Sequence, residues 1–199
     1  MKERPILFSG PMVRALLDGS KTQTRRVMKE KHLAFMDGVN SGRCTGPVTD
    51  ICPYGQVGDK LWVREAFNTC SCGDIDETAK VYRATFIKGR EDCCPYCFTP
   101  IKFKPSIHMP RWASRISLEI TEVRVQRLND ISEADALAEG IRWPDKNGRR
   151  YQPPIDLTGF SNWRFAADQY AELWDSINGP GAWALNPLVW CVSFKMVKP

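Results

Sequence analysis

Four cysteines carry the clearest chemical pattern in this sequence. Cys70 and Cys72 form one closely spaced pair, and Cys94 and Cys97 form a second pair further along the chain. Two such pairs can supply four thiolates to a tetrahedral zinc ion, with unligated thiols in a polar insertion as the alternative. Cys93 is a substitute for Cys94, because only one of two neighbouring side chains can point inward. Four thiolates leave no open coordination position, so we expect a structural zinc that stabilises an insertion too short for its own core.

Basic residues and tryptophans form a second pattern. Five cations lie within residues 21–31 and four more within residues 142–150. Such runs can contact the phosphates of a nucleic acid, although they are more commonly solvated surface. Trp62 and Trp112 can stack on single-stranded bases, with packing in the protein as the alternative. Trp112 is the better candidate, since it follows Arg111 in an irregular polar segment.

Composition places the chain among ordinary globular proteins. It has 199 residues, of which 43% are hydrophobic and 26% charged, and this excludes a disordered chain, a coiled coil and a collagen-like fibre. No segment approaches the roughly 20 apolar residues that span a bilayer, and the N-terminus lacks the apolar core of a secretory signal. We therefore expect a cytoplasmic protein without a membrane partner. The net charge of +5 permits a polyanionic partner without requiring one.

The hydrophobic periodicity predicts five or six strands and a few helices. Strands are expected at 5–8, 60–67, 81–86, 116–128 and 187–197, with 21–27 as a strand or a loop that enters one. Helices are expected at 9–18, 132–139 and 161–177, with a long loop at 37–59. Polar insertions are expected at about 68–104, which is rich in cysteine, and at 142–160. This order favours an α+β fold in one domain over residues 1–199, with a mixed sheet or a small barrel.

Residues 17–26 (LDGSKTQTRR) resemble the signature of the ASCH domain family, which groups with PUA-like β-barrels. Three further stretches agree in the same order: 58–64, 138–140 and 189–195. The longer layout, with PSIHMPRWASR and LWDSIN, resembles a phage and prophage subgroup. The resemblance implies a PUA-like mixed β-barrel with a few peripheral helices, and binding of RNA or a nucleotide.

The resemblance also implies an activity. One branch of the ASCH family removes the acetyl group from N4-acetylcytidine, and another is described as a single-stranded RNA nuclease. The positions that match the functional residues of the first branch are Lys21, Thr24, Arg26 and Glu139. By this resemblance Lys21, Thr24 and Glu139 are catalytic. The candidate substrate contacts are Arg26, Trp62, Arg64, Arg111 and Trp112.

These four matching residues have the chemistry that amide hydrolysis needs, namely a nucleophile, a base and a group that stabilises an oxyanion. Thr24 offers a hydroxyl, and Lys21 is a base if burial beside Arg26 keeps it neutral. Glu139 can orient water or move a proton, and Arg26 can hold an oxygen atom. On a regular strand Lys21 and Thr24 face opposite sides, so Lys21 must lie in the turn before the strand or at a bulge.

Three functions fit these residues. The first is a metal-independent hydrolase of a modified pyrimidine nucleoside or of its RNA form. The second is a single-stranded RNA-binding module or ribonuclease without amidohydrolase activity. The third is a non-catalytic phage interaction protein that zinc stabilises.

Overall fold

The computed structural model describes residues 1–42, 46–70, 79–85, 102–141 and 165–197. By their contacts the residues separate into two compact units. Unit 1 consists of residues 1–19, 53–121 and 194–199, and unit 2 of residues 20–52 and 122–193. Among the helices of the described segments, none has both the length and the apolar character needed to cross a membrane.

The described elements are mixed α and β, as the sequence predicts. The strands are β1 (Glu3–Leu7), β2 (Gln23–Val27), β3 (Lys60–Arg64), β4 (Phe67–Cys70), β5 (Ala79–Tyr82), β6 (Ser117–Arg127) and β7 (Leu188–Val197). The helices are α1 (Gly10–Leu17), α2 (Glu30–Asn40), α3 (Glu133–Ala138) and α4 (Phe165–Asn178). The irregular segment before β6 contains two single-turn 3-10 helices, Ser106–His108 and Arg111–Ala113.

Five of the strands hydrogen-bond in the order β1-β3-β6-β7-β2, and β4 pairs with β5 apart from them. Strand β1 runs parallel to β3, whereas β3 with β6 and β2 with β7 are antiparallel. A barrel closes only when its first and last strands also pair. Within the described segments no pairing joins β1 to β2, so this sheet is open and the predicted closed barrel is not found.

In unit 1 the alternation of β3 and β6 separates buried from accessible side chains. Leu61 and Val63 of β3 are buried, while Lys60, Trp62 and Arg64, which alternate with them, are partly accessible. The burial pattern of β6 breaks at Thr121 and Glu122, which are both exposed. The apolar residues of the sequence shift by one position here, from Ile116, Leu118 and Ile120 to Val123 and Val125, although the strand itself continues.

Unit 2 packs α4 against β7. Tyr170 and Trp174, four residues apart on one face of α4, form one buried cluster with Val189 and Cys191 of β7. Helix α3 begins where Ser132 accepts a hydrogen bond from the backbone N–H of Asp135 at 3.1 Å. It ends at Ala138, with Glu139 as its C-terminal cap residue and Gly140, at a φ of 88°, after it. The two ends of this short helix therefore fix the position of Glu139.

The prediction of a loop at 37–59 is wrong in part. Helix α2 continues to Asn40, and Val48–Ile51 forms a 3-10 helix. Helix α2 is weakly amphipathic and contains a glycine, Gly38, so its sequence carries little helical signal. At its start the ring nitrogen Nδ1 of His32 accepts a hydrogen bond from the backbone N–H of Lys29, and the ring packs edge-on to Trp190. A local sequence pattern cannot predict packing against a residue as distant in the chain as Trp190.

Candidate functional site

A buried lysine–glutamate pair is the centre of the candidate site in unit 2. Lys21 forms an isolated β-bridge with Glu139, just before β2 begins. Its Nζ donates to Oε2 of Glu139 at 2.7 Å, to the backbone oxygen of Glu139 at 2.9 Å and to that of Gln23 at 2.8 Å. The side chains of Lys21 and Glu139 are 0% and 4% exposed. Three acceptors match the three protons of an ammonium group, so this geometry fits the charged form of the lysine.

The alternation of β2 decides which side chains join this pair. Gln23 and Arg25 lie on one face of the strand, and both hydrogen-bond to Asp135 of α3. Thr24 and Arg26 therefore lie on the opposite face, where Arg26 is the cross-strand partner of Trp190. Lys21 lies just before the strand, and its ammonium meets Glu139 on the same side as Arg25, so Lys21 and Thr24 face opposite sides as on a regular strand.

Arg25 connects the pair to a second carboxylate. Its Nη2 lies 3.0 Å from Oδ2 of Asp135, and its Nη1 lies 3.5 Å from Oε1 of Glu139. It also donates to the side-chain oxygen of Gln23. The guanidinium carbon lies 5.9 Å from the centre of the Tyr170 ring, within the range of a cation–π contact. These groups hold Arg25 in one place although its side chain is completely buried.

The network reaches solvent through Asp135 and Arg124. Nη2 of Arg124 lies 2.6 Å from Oδ1 of Asp135, and the two side chains are 31% and 21% exposed. Arg124 also pairs with Glu122 at 2.9 Å. The cluster of Lys21, Glu139, Arg25, Asp135 and Arg124, which we call the charge network, therefore runs from the interior of unit 2 to its surface.

Burial and neighbouring charges alter the pKa values of Lys21 and Asp135 in this network and of Tyr170 beside it. Burial lowers the pKa of Lys21, and the charges of Arg26 and Arg25 lower it further against the opposing effect of Glu139. Burial alone raises the pKa of Asp135, but hydrogen bonds from Arg124 and Gln23 outweigh it and the net shift is downward. The pKa of Tyr170 is raised, first by burial and then by the charge of Glu139. Among the described groups, Lys21 thus combines burial, a carboxylate partner and a lowered pKa, as an acid/base residue requires.

The structure brings Lys21 and Glu139 together and places Thr24 elsewhere. Thr24 is buried on the other face of β2, so its hydroxyl points away from the face that Arg25 shares with Glu139. Arg26 is partly buried on the same face as Thr24, and its charge still acts on Lys21. Two of the four matching residues therefore form a direct contact.

The remaining predicted substrate contacts lie in unit 1. Trp112 is 59% exposed, and Nζ of Lys80 lies 5.6 Å from the centre of its ring. Arg111 forms an exposed ion pair with Glu3 at 2.9 Å. Two further contacts involve β3, where the guanidinium of Arg64 lies 5.5 Å from the ring of Trp62 and donates to backbone oxygens of Ile107 and Met109. Trp112 is thus the more exposed of the two tryptophans that the sequence predicts as substrate contacts.

The predicted zinc site falls mostly outside the described residues. Cys70 ends β4, whereas Cys72, Cys94 and Cys97 are not among the described positions. Within the described ranges no group of three metal-ligating side chains occurs. Cys191 is buried in unit 2, and burial raises the pKa of its thiol to about 11, as expected of a core cysteine.

Sequence reasoning missed four residues that surround Lys21 and Glu139. Arg25 counted only as part of a basic run, and Tyr170 only as part of a helix face, while Gln23 and Arg124 received no role. A usable signal was present: Asp135 and Glu139 are four residues apart and share a helix face, and Gln23 and Arg25 alternate along a strand. Only the tertiary structure brings these two faces together.

Unit 1 contains an ion pair between a buried carboxylate, Glu65, and a partly exposed arginine, Arg115. Glu65 is buried and accepts two hydrogen bonds from Arg115, at 2.8 and 3.0 Å. The guanidinium carbon of Arg115 lies 4.0 Å from the centre of the Tyr82 ring. Both carboxylate oxygens of Glu65 are thus occupied, which favours a structural role over catalysis.

Comparisons with known proteins give weak likenesses. No family model matches the chain. The LIM domain-containing protein G of Dictyostelium discoideum is 26% identical over 92 residues, which are 46% of this chain and 31% of that protein. The chain therefore matches under a third of the length of this relative.

Two solved structures are similar over 100% of this chain. One is a protein of Enterococcus faecalis from the family model DUF984, with 12% identity, 82% of its chain covered and a TM-score of 0.41. The other is an ASCH domain of Lactobacillus crispatus, with 13% identity, 81% coverage and a TM-score of 0.36. TM-scores this low do not establish a shared activity, and neither name bears on the predicted phage subgroup. One of these two structures is thus an ASCH domain.

Proposed function

We propose that this chain binds a nucleoside or single-stranded RNA and hydrolyses an amide on a modified pyrimidine, with N4-acetylcytidine as the model substrate. The observation that carries the proposal is the contact of 2.7 Å between Lys21 and Glu139 in the interior of unit 2. A buried lysine with a lowered pKa beside a carboxylate is an arrangement suited to proton transfer.

In the proposed reaction the neutral amine of Lys21 takes a proton from water, and the water oxygen attacks the acetyl carbon. The carbon–nitrogen bond then breaks, and the leaving nitrogen receives the proton, giving cytidine and acetate. Glu139 orients Lys21 through their contact of 2.7 Å, while Arg26, like Thr24, lies on the other face of β2 and takes no part in this step. We assign the nucleophile to water because Thr24 lies on the other face of β2.

The test is incubation of the protein with N4-acetylcytidine and separation of the products by chromatography. Lys21→Met removes the amine and keeps the length of the side chain, and Lys31→Met changes an exposed lysine of α2 as the matched control. We expect cytidine from the wild type and from Lys31→Met, and at least a ~100-fold lower rate from Lys21→Met. Absence of product at high enzyme concentration, or equal rates in all three proteins, would overturn the proposal.

A second candidate function, RNA binding without hydrolysis, is favoured by the exposed ring of Trp112 beside Lys80. Fluorescence anisotropy with a labelled single-stranded oligonucleotide tests it. We expect Trp112→Ala to weaken binding by about 1–3 kcal/mol, as for the loss of one stacked base, and the affinity to fall with salt. Leu185→Ala, which truncates another exposed apolar side chain, is the control. Equal effects of the two substitutions would exclude stacking on Trp112.

A further inference from the structure

The two carboxylate oxygens of Glu139 have different partners. Oε2 receives the hydrogen bond from Lys21 at 2.7 Å. Oε1 faces Nη1 of Arg25 at 3.5 Å and the hydroxyl of Tyr170 at 3.4 Å. The buried carboxylate of Glu139 is therefore shared by two cations. The ammonium of Lys21 can lose its charge by releasing a proton, whereas the guanidinium of Arg25 keeps its charge.

This sharing matters when Lys21 loses its proton. A buried carboxylate without a cationic partner is strongly unfavourable. If Lys21 were the sole counter-ion of Glu139, each deprotonation of the lysine would leave such a carboxylate behind. Arg25 removes this penalty, because its guanidinium remains charged next to Oε1.

Asp135 holds Arg25 in the required position. It binds the other arm of the guanidinium at 3.0 Å and is itself bound by Arg124 at 2.6 Å. Arg25 therefore contacts two carboxylates at once, as the planar fork of arginine allows and the single ammonium of lysine does not. The contact to Asp135 is the shorter of the two, so Asp135 fixes the guanidinium and Glu139 receives its second arm.

We propose that Arg25 is a positioning residue that remains the counter-ion of Glu139 when Lys21 releases its proton, so that Lys21 can act as a base. This inference rests on the proposed function. One N–H bond of Lys21 breaks, the proton leaves to solvent, and the net charge of the network falls by one. Among the described residues, the charged groups that act on Lys21 are Glu139, Arg26 and Arg25. Further groups interact with these or with one another: Asp135 of α3, Tyr170 of α4, Cys191 of β7 and Arg124 of β6.

The experiment is an NMR titration of Lys21 in protein labelled with carbon-13 at the lysine side chains, with the signal assigned through Lys21→Met. Arg25→Gln leaves Lys21 as the remaining cation in contact with Glu139. We expect the titration midpoint of Lys21 to rise by about one pH unit or more. Arg127→Gln makes the same substitution at an exposed arginine of unit 2, and we expect no shift. An unchanged midpoint in Arg25→Gln would overturn the inference.

Asp135→Asn provides a second variant if Arg25→Gln does not fold. This variant removes the negative charge that competes with Glu139 for Arg25, so the titration midpoint of Lys21 should fall. A midpoint that stays or rises contradicts the inference. In an active enzyme, the pH profile of kcat should shift with the midpoint in each variant while KM changes little. If the wild type hydrolyses no amide, the proposed function fails, but the titration still decides the role of Arg25.

Discussion

The Nζ of Lys21 lies 2.7 Å from Oε2 of Glu139, although 118 residues separate the two along the chain. Lys21 precedes a strand and Glu139 ends a short helix, and the bridge between their backbones is extended by the hydrogen bond from the N–H of Thr22 to the oxygen of Ala138 at 2.8 Å. The backbone contact brings the side chains together. Because both are buried, the ammonium of Lys21 depends on Glu139 for charge compensation, whereas Glu139 is compensated by Lys21 and Arg25 together.

Glu139→Gln should lower the free energy of unfolding by about 3–5 kcal/mol, because it leaves the ammonium of Lys21 buried without its charged partner. Urea denaturation measures the change. The matched control is Glu172→Gln on the exposed side of α4, for which we expect a change within about 0.5 kcal/mol. Adding Lys21→Met to Glu139→Gln should recover part of the loss, and additive losses would contradict the coupling.

Lys21 should make the stability of the protein increase with pH in the alkaline range. Its pKa is lowered in the folded state, so between that value and the unfolded pKa of about 10.4 the unfolded chain binds more protons. The free energy of unfolding then rises with pH in this window. Urea denaturation at a series of pH values should show this rise in the wild type and in Lys31→Met, but a smaller one in Lys21→Met. Equal slopes in the three proteins would contradict the lowered pKa.

Ser132→Ala should destabilise unit 2 by about 1 kcal/mol, because the hydroxyl accepts the N-terminal hydrogen bond of α3 at 3.1 Å. Since Glu139 is the C-terminal cap residue of α3, we also expect a lower rate of turnover. Ser176→Ala, inside α4, is the control: alanine has the higher helix propensity, and the stability should hold or increase slightly. If both substitutions have the same effect, the cap does not support the site.

The four predicted zinc ligands can be tested by metal analysis of protein purified without chelator. We expect about one zinc ion per chain, and its loss in a Cys94→Ser and Cys97→Ser double variant. Cys191→Ser changes a buried core cysteine and should leave the zinc content unchanged. Removal of the metal should expose the insertion to protease while the far-ultraviolet circular dichroism of the sheet is retained. If the purified chain contains no metal, the zinc prediction is wrong and the alternative of unligated thiols holds.

Local sequence determined most of the elements of this protein. Proline in the first turn and glycine after the last fixed α1, the Ser132 cap fixed α3, period-two alternation fixed β3, and a continuous apolar run fixed β7. These signals act over a few residues, so they are visible without the fold. Helix α2 was not predicted, because the apolar residues in its sequence form only a weak amphipathic pattern.

The tertiary structure decided which charged residues meet. The sequence places Lys21 and Glu139 in motifs of their own and suggests their pairing through a resemblance alone. Arg25 looked like one member of a solvated basic run, yet it is buried between Asp135 and Glu139. A charge is buried only where partners offset its desolvation, and those partners come from β2, β6 and α3, which are distant in sequence. For the same reason the register of β2, rather than its composition, turned Arg25 toward the carboxylates and Thr24 away from them.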